Sequence, residues 1–302
     1  MPLDEELAAW LTDPANRVVS LADPEYPRRL LQIADPPPLL YVKGRVELLN
    51  QPALAIVGSR NATAQGAANA ESFAKTLSDA GLAIVSGLAL GIDAAAHRGG
   101  LAGASGSIAV VGTGLDIVYP ARNRPLAHAL AERGALVSEF PLATQARPAN
   151  FPRRNRVISG LSLGCLVVEA AVGSGSLITA RSALDQGREV FAIPGSIHSP
   201  LAKGCHALIK QGAKLVESAA DVLEELRLPA GAAARLQPAP ASELASRLPA
   251  SFLEALGFDP FDPDMLVART GMSAAEVSAL LTQLEIEGTL AALPGGRFQR
   301  IR

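Results

Sequence analysis

The sequence predicts an α/β fold with a doubly wound, mostly parallel sheet, followed by a small C-terminal winged-helix domain. The first observation is a repeat: from about residue 54, short runs rich in β-branched residues and apolar on both faces alternate with segments long enough for crossover helices. The runs are 54-LAIVG-58, 82-LAIVSG-87, 107-SIAVVG-112, 135-ALVSEF-140, 165-CLVVEA-170, 189-EVFAIPG-195 and 213-AKLVES-218. The second observation is punctuation, because glycines follow the expected helices at Gly81, Gly134, Gly187 and Gly212.

We expect this extended Rossmann-like domain to occupy residues 51–226. Residues 1–50 before it are interpreted as a short lead-in, because the prolines of 23-DPEYPRRLLQIADPPPLLYVKG-44 favour extended backbone. Residues 227–243 after it have the Pro/Ala/Gly composition of a linker.

The tail, residues 244–302, predicts the winged-helix domain. A helical stretch ends near Arg269, Gly271 makes a turn, and Ser273 begins a second helix that runs to about Glu287. Two short strands flank the turn 294-PGG-296. A helix-turn-helix followed by a β-hairpin is typical of this domain.

Composition limits the class of protein. Of the 302 residues, 49% are hydrophobic and only 19% are charged, which favours packed domains over disorder. The N-terminus has no basic and apolar leader, and the best apolar run, 161–173, carries Glu169 and is broken by glycine. We therefore expect no secretory signal and no membrane span. Cys165 and Cys205 have neither metal-site spacing nor a disulfide framework, in keeping with a cytoplasmic protein.

Glycine-rich loops follow five of the predicted strands, at 58-GSR-60, 86-SGLALGID-93, 112-GTG-114, 173-GSGS-176 and 194-PGS-196. Ligands of open parallel sheets bind at the carboxyl ends of the strands, where glycine lets an anion approach backbone N–H groups. The set predicts a phosphate-lined groove, although turns of a parallel sheet also need glycine. No loop matches a dinucleotide or Walker fingerprint, so we predict no nucleotide cofactor and a phosphodiester backbone as the anion.

Arginines cluster beside these loops. The stretch 147-RPANFPRRNR-156 holds Arg147, Arg153, Arg154 and Arg156 and no acid, in a chain whose formal charge is -2. The sequence alone indicates that such a patch needs an anion, and that Phe151 stacks on a base. The alternatives are core packing for Phe151, and helix capping or subunit contacts for the arginines. Arg60 is expected at the same groove, unless it forms a buried pair with a carboxylate.

Three acidic or imidazole groups could suggest catalysis. Asp93 and His97 are four residues apart and share a helix face, and Glu169 ends a nearby strand. We favour structural roles, in which Asp93 caps the helix and His97 is oriented by packing. The remaining histidines share no ligand spacing, so no metal site is predicted. Lys203 and Lys210 either extend the basic groove or are solvated.

The predicted recognition helix of the tail is acidic. The stretch 273-SAAEVSALLTQLEIEG-288 holds Glu276, Glu285 and Glu287 and no lysine or arginine, so phosphate repulsion opposes entry into a major groove. This disfavours a winged-helix transcription regulator. We interpret the tail as a protein-contact or regulatory module, while the wing arginines leave a DNA contact open.

The motifs, taken together, resemble the DprA/Smf family of DNA-processing proteins over residues 24–218, and the tail resembles the winged-helix domain of many members. The matching stretches, in order, are 26-YPRRLLQIADPPPLLYVKG-44, 55-AIVGSR-60, 85-VSGLALGIDAAAH-97, 112-GTGLDIVYP-120, 138-SEFP-141, 151-FPRRNRVISGLS-162, 169-EA…GSGSLITA-180 and 193-IPGS-196. The resemblance implies single-stranded DNA binding without ATP, catalysis or cofactor. It also implies a homodimer through the Rossmann-like domain, and RecA recombinase as a partner that is loaded onto DNA in natural transformation or recombinational repair.

The resemblance, with the loop and arginine patterns, predicts the DNA-binding residues. They are Ser59, Arg60, Ser86, Gly87, Arg147, Phe151, Arg153, Arg154, Asn155, Gly175, Ser176, Thr179 and Lys203. We expect charge reversal at Arg60 or Arg154 to weaken binding without unfolding. The main alternative is a phosphoribohydrolase of the LOG type, but 173-GSGS-176 departs from its glycine loop and 177-LITARSALDQG-187 lacks a clear match to its catalytic acid.

Overall fold

The structure is a computed structural model that describes residues 3–228, Leu248, Phe252 and residues 256–301. The chain divides into two compact units, an α/β unit and a C-terminal unit. The strands of the first unit are β1 (Asn16–Ser20), β2 (Leu39–Gly44), β3 (Ala53–Val57), β4 (Ala83–Ser86), β5 (Ser107–Val110), β6 (Ala135–Ser138), β7 (Gly164–Val167), β8 (Glu189–Ala192) and β9 (Lys214–Leu215). The helices of residues 3–228 are α1 (Leu3–Trp10), α2 (Ala64–Asp79), α3 (Ile92–Ala102), α4 (Arg124–Arg133), α5 (Asn150–Gly160), α6 (Ser176–Asp185), α7 (Lys203–Lys210) and α8 (Ala219–Glu225).

The nine strands form one sheet in the order β1-β2-β6-β5-β4-β3-β7-β8-β9. The seven strands from β3 to β9 pair in parallel and coincide with the seven predicted runs, which confirms the mostly parallel α/β prediction. After β3 the chain builds outward through β4, β5 and β6, and then returns to place β7 on the other side of β3. The order therefore reverses between β3 and β7, which is where a doubly wound sheet opens a crevice at its carboxyl edge.

Residues 1–50 contribute more than a lead-in. They form α1 and two strands, and β2 pairs antiparallel with both β1 and β6, so they extend the sheet at one edge. The prolines that suggested extended backbone lie between the two strands, where no ladder N–H is required. The domain boundary expected at residue 50 remains a prediction, and most of the linker expected at 227–243 lies outside the described residues.

Alternating side chains of the central strands supply two apolar layers. On β5, Ile108 and Val110 belong to the layer that includes α5, α6 and α7, whereas Ala109 packs in the layer beneath α4. Strands that are buried on both faces have continuous apolar sequences, and these short apolar runs are the pattern that predicted them. Cys165 and Cys205 are free and buried among these residues.

His97 ties α3 to the sheet. Its side chain is fully buried, its Nε2 accepts the N–H of Leu88 at 3.2 Å, and its Nδ1 lies 2.8 Å from the Ser107 hydroxyl. Because that hydroxyl donates to the Ile84 carbonyl at 2.8 Å, the Nδ1–H must donate to Ser107. Both nitrogens are thus used by the neutral ring, and burial lowers the pKa of His97 to about 3, with Arg154 adding to the shift. The structural role predicted for His97 is confirmed.

The C-terminal unit is a winged helix, as predicted. Its described elements are α9 (Pro263–Thr270), α10 (Ala274–Ile286), β10 (Leu290–Leu293) and β11 (Arg297–Arg300). Gly271 ends α9 in the left-handed conformation, and Ser273 and Glu276 form a capping box at the start of α10. One face of α10 supplies Val277, Leu281 and Leu284 to the core of this unit. Glu285 and Glu287 are exposed, so the acidic surface expected from the sequence is present.

Within the described part of the chain, every helix is too short or too polar to cross a membrane.

The neutral state of His97 predicts a pH dependence of folding stability. Below about pH 6.5 this side chain takes up a proton in the unfolded chain but not in the folded chain. Its contribution to the free energy of unfolding is therefore complete above that pH and is lost as the pH falls towards 3. Between pH 7 and pH 5 we expect a loss of about 2 kcal/mol from this residue. Urea unfolding of the wild type and His97→Gln at both pH values measures it. Equal losses in the two proteins contradict the prediction.

Candidate nucleic-acid interface

A cavity of roughly 700 Å³ lies at the reversal of strand order. The carboxyl end of β3 supplies residues 57–61, the segment after β7 supplies Ala171 and residues 173–176, and α5 closes the cavity with its first turns. Doubly wound sheets bind ligands at this position. The topology therefore brings three of the predicted glycine loops, 58–60, 86–93 and 173–176, together with the arginine-rich segment.

Arg154 of α5 lines this cavity although only 4% of the residue is exposed. Its Nε and Nη1 atoms are buried and have no hydrogen-bond acceptor among the described residues. Burial lowers the pKa of Arg154 to about 10, Asp93 opposes the shift and Arg60 adds to it. The guanidinium thus stays charged at neutral pH with donors unused, a condition in which a bound anion gains a strong interaction.

Asp93 is the acidic neighbour of Arg154 and also lines the cavity. Burial raises the pKa of this carboxyl, while the charge of Arg154 and backbone hydrogen bonds oppose the rise. The carboxylate accepts the N–H groups of Gly87 at 3.1 Å and Ala89 at 3.4 Å. The expectation that Asp93 caps α3 is thus wrong in detail, because these bonds hold the loop before the helix.

The loop at residues 87–89 is fixed from several sides. Leu88 has φ 57°, a left-handed conformation that is unfavourable for a leucine. Its N–H is bound by His97, and its carbonyl accepts the Asn123 side-chain amide at 2.8 Å. Gly87 packs directly on Arg154, since a Cβ at this position would overlap the guanidinium. Strained backbone held by such contacts is typical of pre-organised binding sites.

An exposed cation and two aromatic rings form another side of the cavity. The guanidinium carbon of Arg60 lies 5.8 Å from the centre of the Phe151 ring, within cation–π range. The Phe151 ring centre lies 5.7 Å from that of Tyr119, which is 49% exposed. Arg60 has no ion pair among the described residues, so the alternative of a buried carboxylate pair does not apply to it.

The N-terminus of α6 supplies open backbone and hydroxyl groups. A Cβ added at Gly173 or Gly175 would meet no atom within 4 Å, so a ligand can approach the main chain there. Ser174 and Ser176 join their hydroxyls at 2.7 Å beside these glycines. Asn155 of α5 donates to the Gly175 carbonyl at 3.4 Å and so attaches the loop to the arginine helix. The N–H groups of Ser176, Leu177 and Ile178 are bonded within the turn, so an anion here would be attracted by the positive end of the helix dipole and by the open approach to the two glycines.

Two other arginines of the cluster, Arg153 and Arg156, are paired with acids from distant parts of the sequence, whereas Arg147 is exposed and forms no ion pair among the described residues. The Glu139 carboxylate, whose side chain is only 2% exposed, lies 2.9 Å from Arg153 Nε and 2.6 Å from Arg156 Nη2. Asp35 adds a contact of 3.4 Å to Arg156 Nε. The inference that the whole cluster needs an external anion is therefore wrong, because the fold supplies acids that the local sequence lacks.

Family comparisons agree with this architecture. The model described as DNA recombination-mediator protein A matches residues 17–227, and the model of the DprA winged helix domain matches residues 232–296. The chain belongs to the DprA family.

Individual relatives extend over most of the chain. Protein Smf of Escherichia coli is 43% identical over 304 residues, covering 99% of this chain and 81% of the relative. The X-ray structure of DNA processing protein A from Streptococcus pneumoniae has 46% identity and a TM-score of 0.68, over 74% of this chain and 77% of that one. DNA processing protein A from Helicobacter pylori, solved to describe its single-stranded DNA binding mode, has 28% identity and a TM-score of 0.63, over 70% of this chain and 96% of that one.

In this DprA-family chain, eight of the predicted residues line one cavity. They are Ser59, Arg60, Phe151, Arg154, Asn155, Gly175, Ser176 and Thr179. Five do not line it: Ser86, Gly87, Arg147, Arg153 and Lys203. The Ser86 hydroxyl is buried and donates to the Ile56 carbonyl at 2.6 Å, so its role is within the sheet. Arg147 and Lys203 are exposed, and Arg147 adjoins the lining residue Pro148.

Tyr119 and Ser174 also line the cavity and were not among the predicted residues. Both lie within motifs that were recognised, 112-GTGLDIVYP-120 and 173-GSGS-176. Tyr119 stands nine residues after the end of β5, and nothing in a single sequence indicates that this loop returns to Phe151. The sequence feature that could have indicated Tyr119 is an aromatic residue in a loop that follows a strand, since such loops often carry binding residues.

The packing of Gly87 against Arg154 predicts a specific loss of stability. Gly87→Ala should destabilise the α/β unit by about 1–3 kcal/mol, because the guanidinium must move. Gly173→Ala is the matched control, with an expected change below about 0.5 kcal/mol. In an Arg154→Ala background the cost of Gly87→Ala should shrink, as a double-mutant cycle of urea unfolding measures. The same cost in both backgrounds would mean that the two residues are not coupled.

Proposed function

We propose that the chain binds single-stranded DNA in the cavity between β3 and β7 and helps to load the RecA recombinase onto it, in natural transformation or recombinational repair. The observation that carries the DNA part is Arg154, a buried guanidinium with unused donors at the carboxyl edge of the sheet. A phosphate in the cavity would balance this charge, and the guanidinium would have to turn out of its buried position to donate from Nε or Nη1. The open loop at Gly173–Gly175 offers the next phosphate a helix start.

The aromatic side of the cavity favours an unpaired strand. Phe151 and Tyr119 present ring faces on which bases can stack, and Arg60 stands beside Phe151 as an exposed cation. Stacking of this kind tolerates any base and requires that the base be free of its partner strand. The relative from Helicobacter pylori, which is described by its single-stranded DNA binding mode, supports the same ligand.

We assign no catalytic step to this site. Of the three groups considered as acid or base, Asp93 binds the 87–89 loop and His97 uses both ring nitrogens. Glu169 does not line the cavity. A binding protein therefore fits the geometry better than a phosphoribohydrolase. The RecA part is supported by the family description as a recombination mediator. A homodimer through the α/β unit stays a proposal that rests on the resemblance of the sequence motifs to the family.

Charge reversal at Arg60 tests the DNA-binding site. Arg60 is exposed, so Arg60→Glu should fold normally, whereas reversal at the buried Arg154 would place two carboxylates together and test folding instead. We expect Arg60→Glu to lower affinity for a labelled oligothymidylate roughly tenfold and to reduce the slope of log affinity against log salt by about 0.7. Fluorescence anisotropy across a salt series measures both.

The matched control is Arg124→Glu, an exposed arginine at the start of α4 that does not line the cavity. It should bind DNA like the wild type. Equal losses in the two variants would indicate a general charge effect and overturn the assigned site. For the RecA part, wild type but not Arg60→Glu should accelerate RecA-dependent ATP hydrolysis on a single strand covered by a single-strand-binding protein. No acceleration by the wild type would remove RecA loading from the proposal and leave DNA binding.

A further inference from the structure

A second cavity, of roughly 430 Å³, lies between α3 and α4 of the α/β unit and has no part in the proposed DNA site. We call it the α3–α4 groove. Leu101 of α3 and Leu126 and Ala129 of α4 give it apolar walls. Leu101 and Leu126 are only partly buried by the surrounding core, so the groove leaves apolar surface open to a ligand.

Three arginines line the same groove. Arg122 precedes α4, Arg133 is the last residue of α4, and Arg98 faces them from α3. Arg98 Nε is 3.0 Å from Glu71, whereas Arg122 and Arg133 are exposed and form no ion pair among the described residues. Within the described part of the chain, no carboxylate lines the groove. Its chemistry is thus an apolar centre with cations around it.

Charge and lining together select the class of ligand. A strand of nucleic acid would find cations here, but no aromatic ring lines the groove to stack a base. A peptide with acidic residues and an apolar anchor would match both the arginines and the leucines. The ten residues of α4 span about 15 Å, and an extended peptide of four or five residues covers that distance.

The groove also adjoins the proposed DNA site. Asn123, which lines the groove, donates its side-chain amide to the carbonyls of Leu88 at 2.8 Å and Ala89 at 3.1 Å. Ala89 lines the cavity that contains Arg154. A segment bound in the groove would therefore bring its parent protein next to that cavity.

We propose that the α3–α4 groove is a docking site for an acidic, extended segment of a partner protein, whose carboxylates pair with Arg122 and Arg133 and whose apolar side chain packs on Leu101 and Leu126. This goes beyond the proposed DNA binding and uses none of its residues. A partner that itself occupies single-stranded DNA would gain most from such a site, because docking and DNA transfer would take place side by side.

The test uses the full chain and a fluorescein-labelled peptide of four glutamates followed by two leucines. Anisotropy should show saturable binding that Arg122→Glu/Arg133→Glu weakens roughly tenfold or more, because attraction is replaced by repulsion. Arg124→Glu reverses a neighbouring arginine outside the groove and should change Kd by less than about twofold. A peptide with serines in place of the leucines should bind more weakly, since the apolar anchor is lost.

The outcomes separate this proposal from DNA binding. Arg60→Glu should leave peptide binding unchanged, and Arg122→Glu/Arg133→Glu should leave oligothymidylate binding unchanged. No peptide binding by the wild type, or equal weakening by Arg124→Glu and the groove variant, overturns the docking site whatever the DNA result. If the groove variant loses oligothymidylate affinity but not peptide affinity, the groove is a nucleic-acid surface and the peptide proposal is wrong.

Discussion

The buried guanidinium of Arg154 constrains the structure around the switch in strand order. A charge removed from water is costly unless neighbouring groups compensate for the lost hydration. Here the charge of Asp93 compensates only in part, because two donors of the guanidinium have no acceptor among the described residues. The loop at residues 87–89 must pass close by, so it carries a glycine against the guanidinium and a leucine in a left-handed conformation. His97 and Asn123 hold that loop in turn. His97 and Asn123, which do not line the cavity, therefore help to fix the loop that packs against the Arg154 guanidinium.

The distribution of charge explains how a chain with a formal charge of -2 can offer a cationic site. Glu139 and Asp35 form ion pairs with Arg153 and Arg156, and these pairs hold α5 in place. Arg154 and Arg60 are left for a ligand, one buried and pre-organised and the other exposed. The cavity at the reversal of strand order thus keeps cations for an anion although the chain as a whole is nearly neutral.

Much of the α/β unit was predictable because strands buried on both faces leave continuous apolar runs, and because glycines mark helix ends. The position of the site followed from the same pattern, since strand ends share one edge. Strands β1 and β2 were not predicted, because the prolines between them suggested an extended lead-in and the two strands are not joined by a crossover helix. The acid partners of the arginines were also out of reach, since Glu139 and Asp35 come close only through tertiary folding. Tyr119 was not predicted either, because it meets Phe151 only through tertiary folding.

The central claim is that Arg154 receives a phosphate of a single strand. A crystal structure of the full chain with a short oligothymidylate tests it most directly. We predict a phosphate oxygen about 2.7–2.9 Å from a nitrogen of the Arg154 guanidinium, and a thymine ring against Phe151 or Tyr119. A strand bound elsewhere on the protein, with the Arg154 guanidinium in contact with protein alone, would contradict the account.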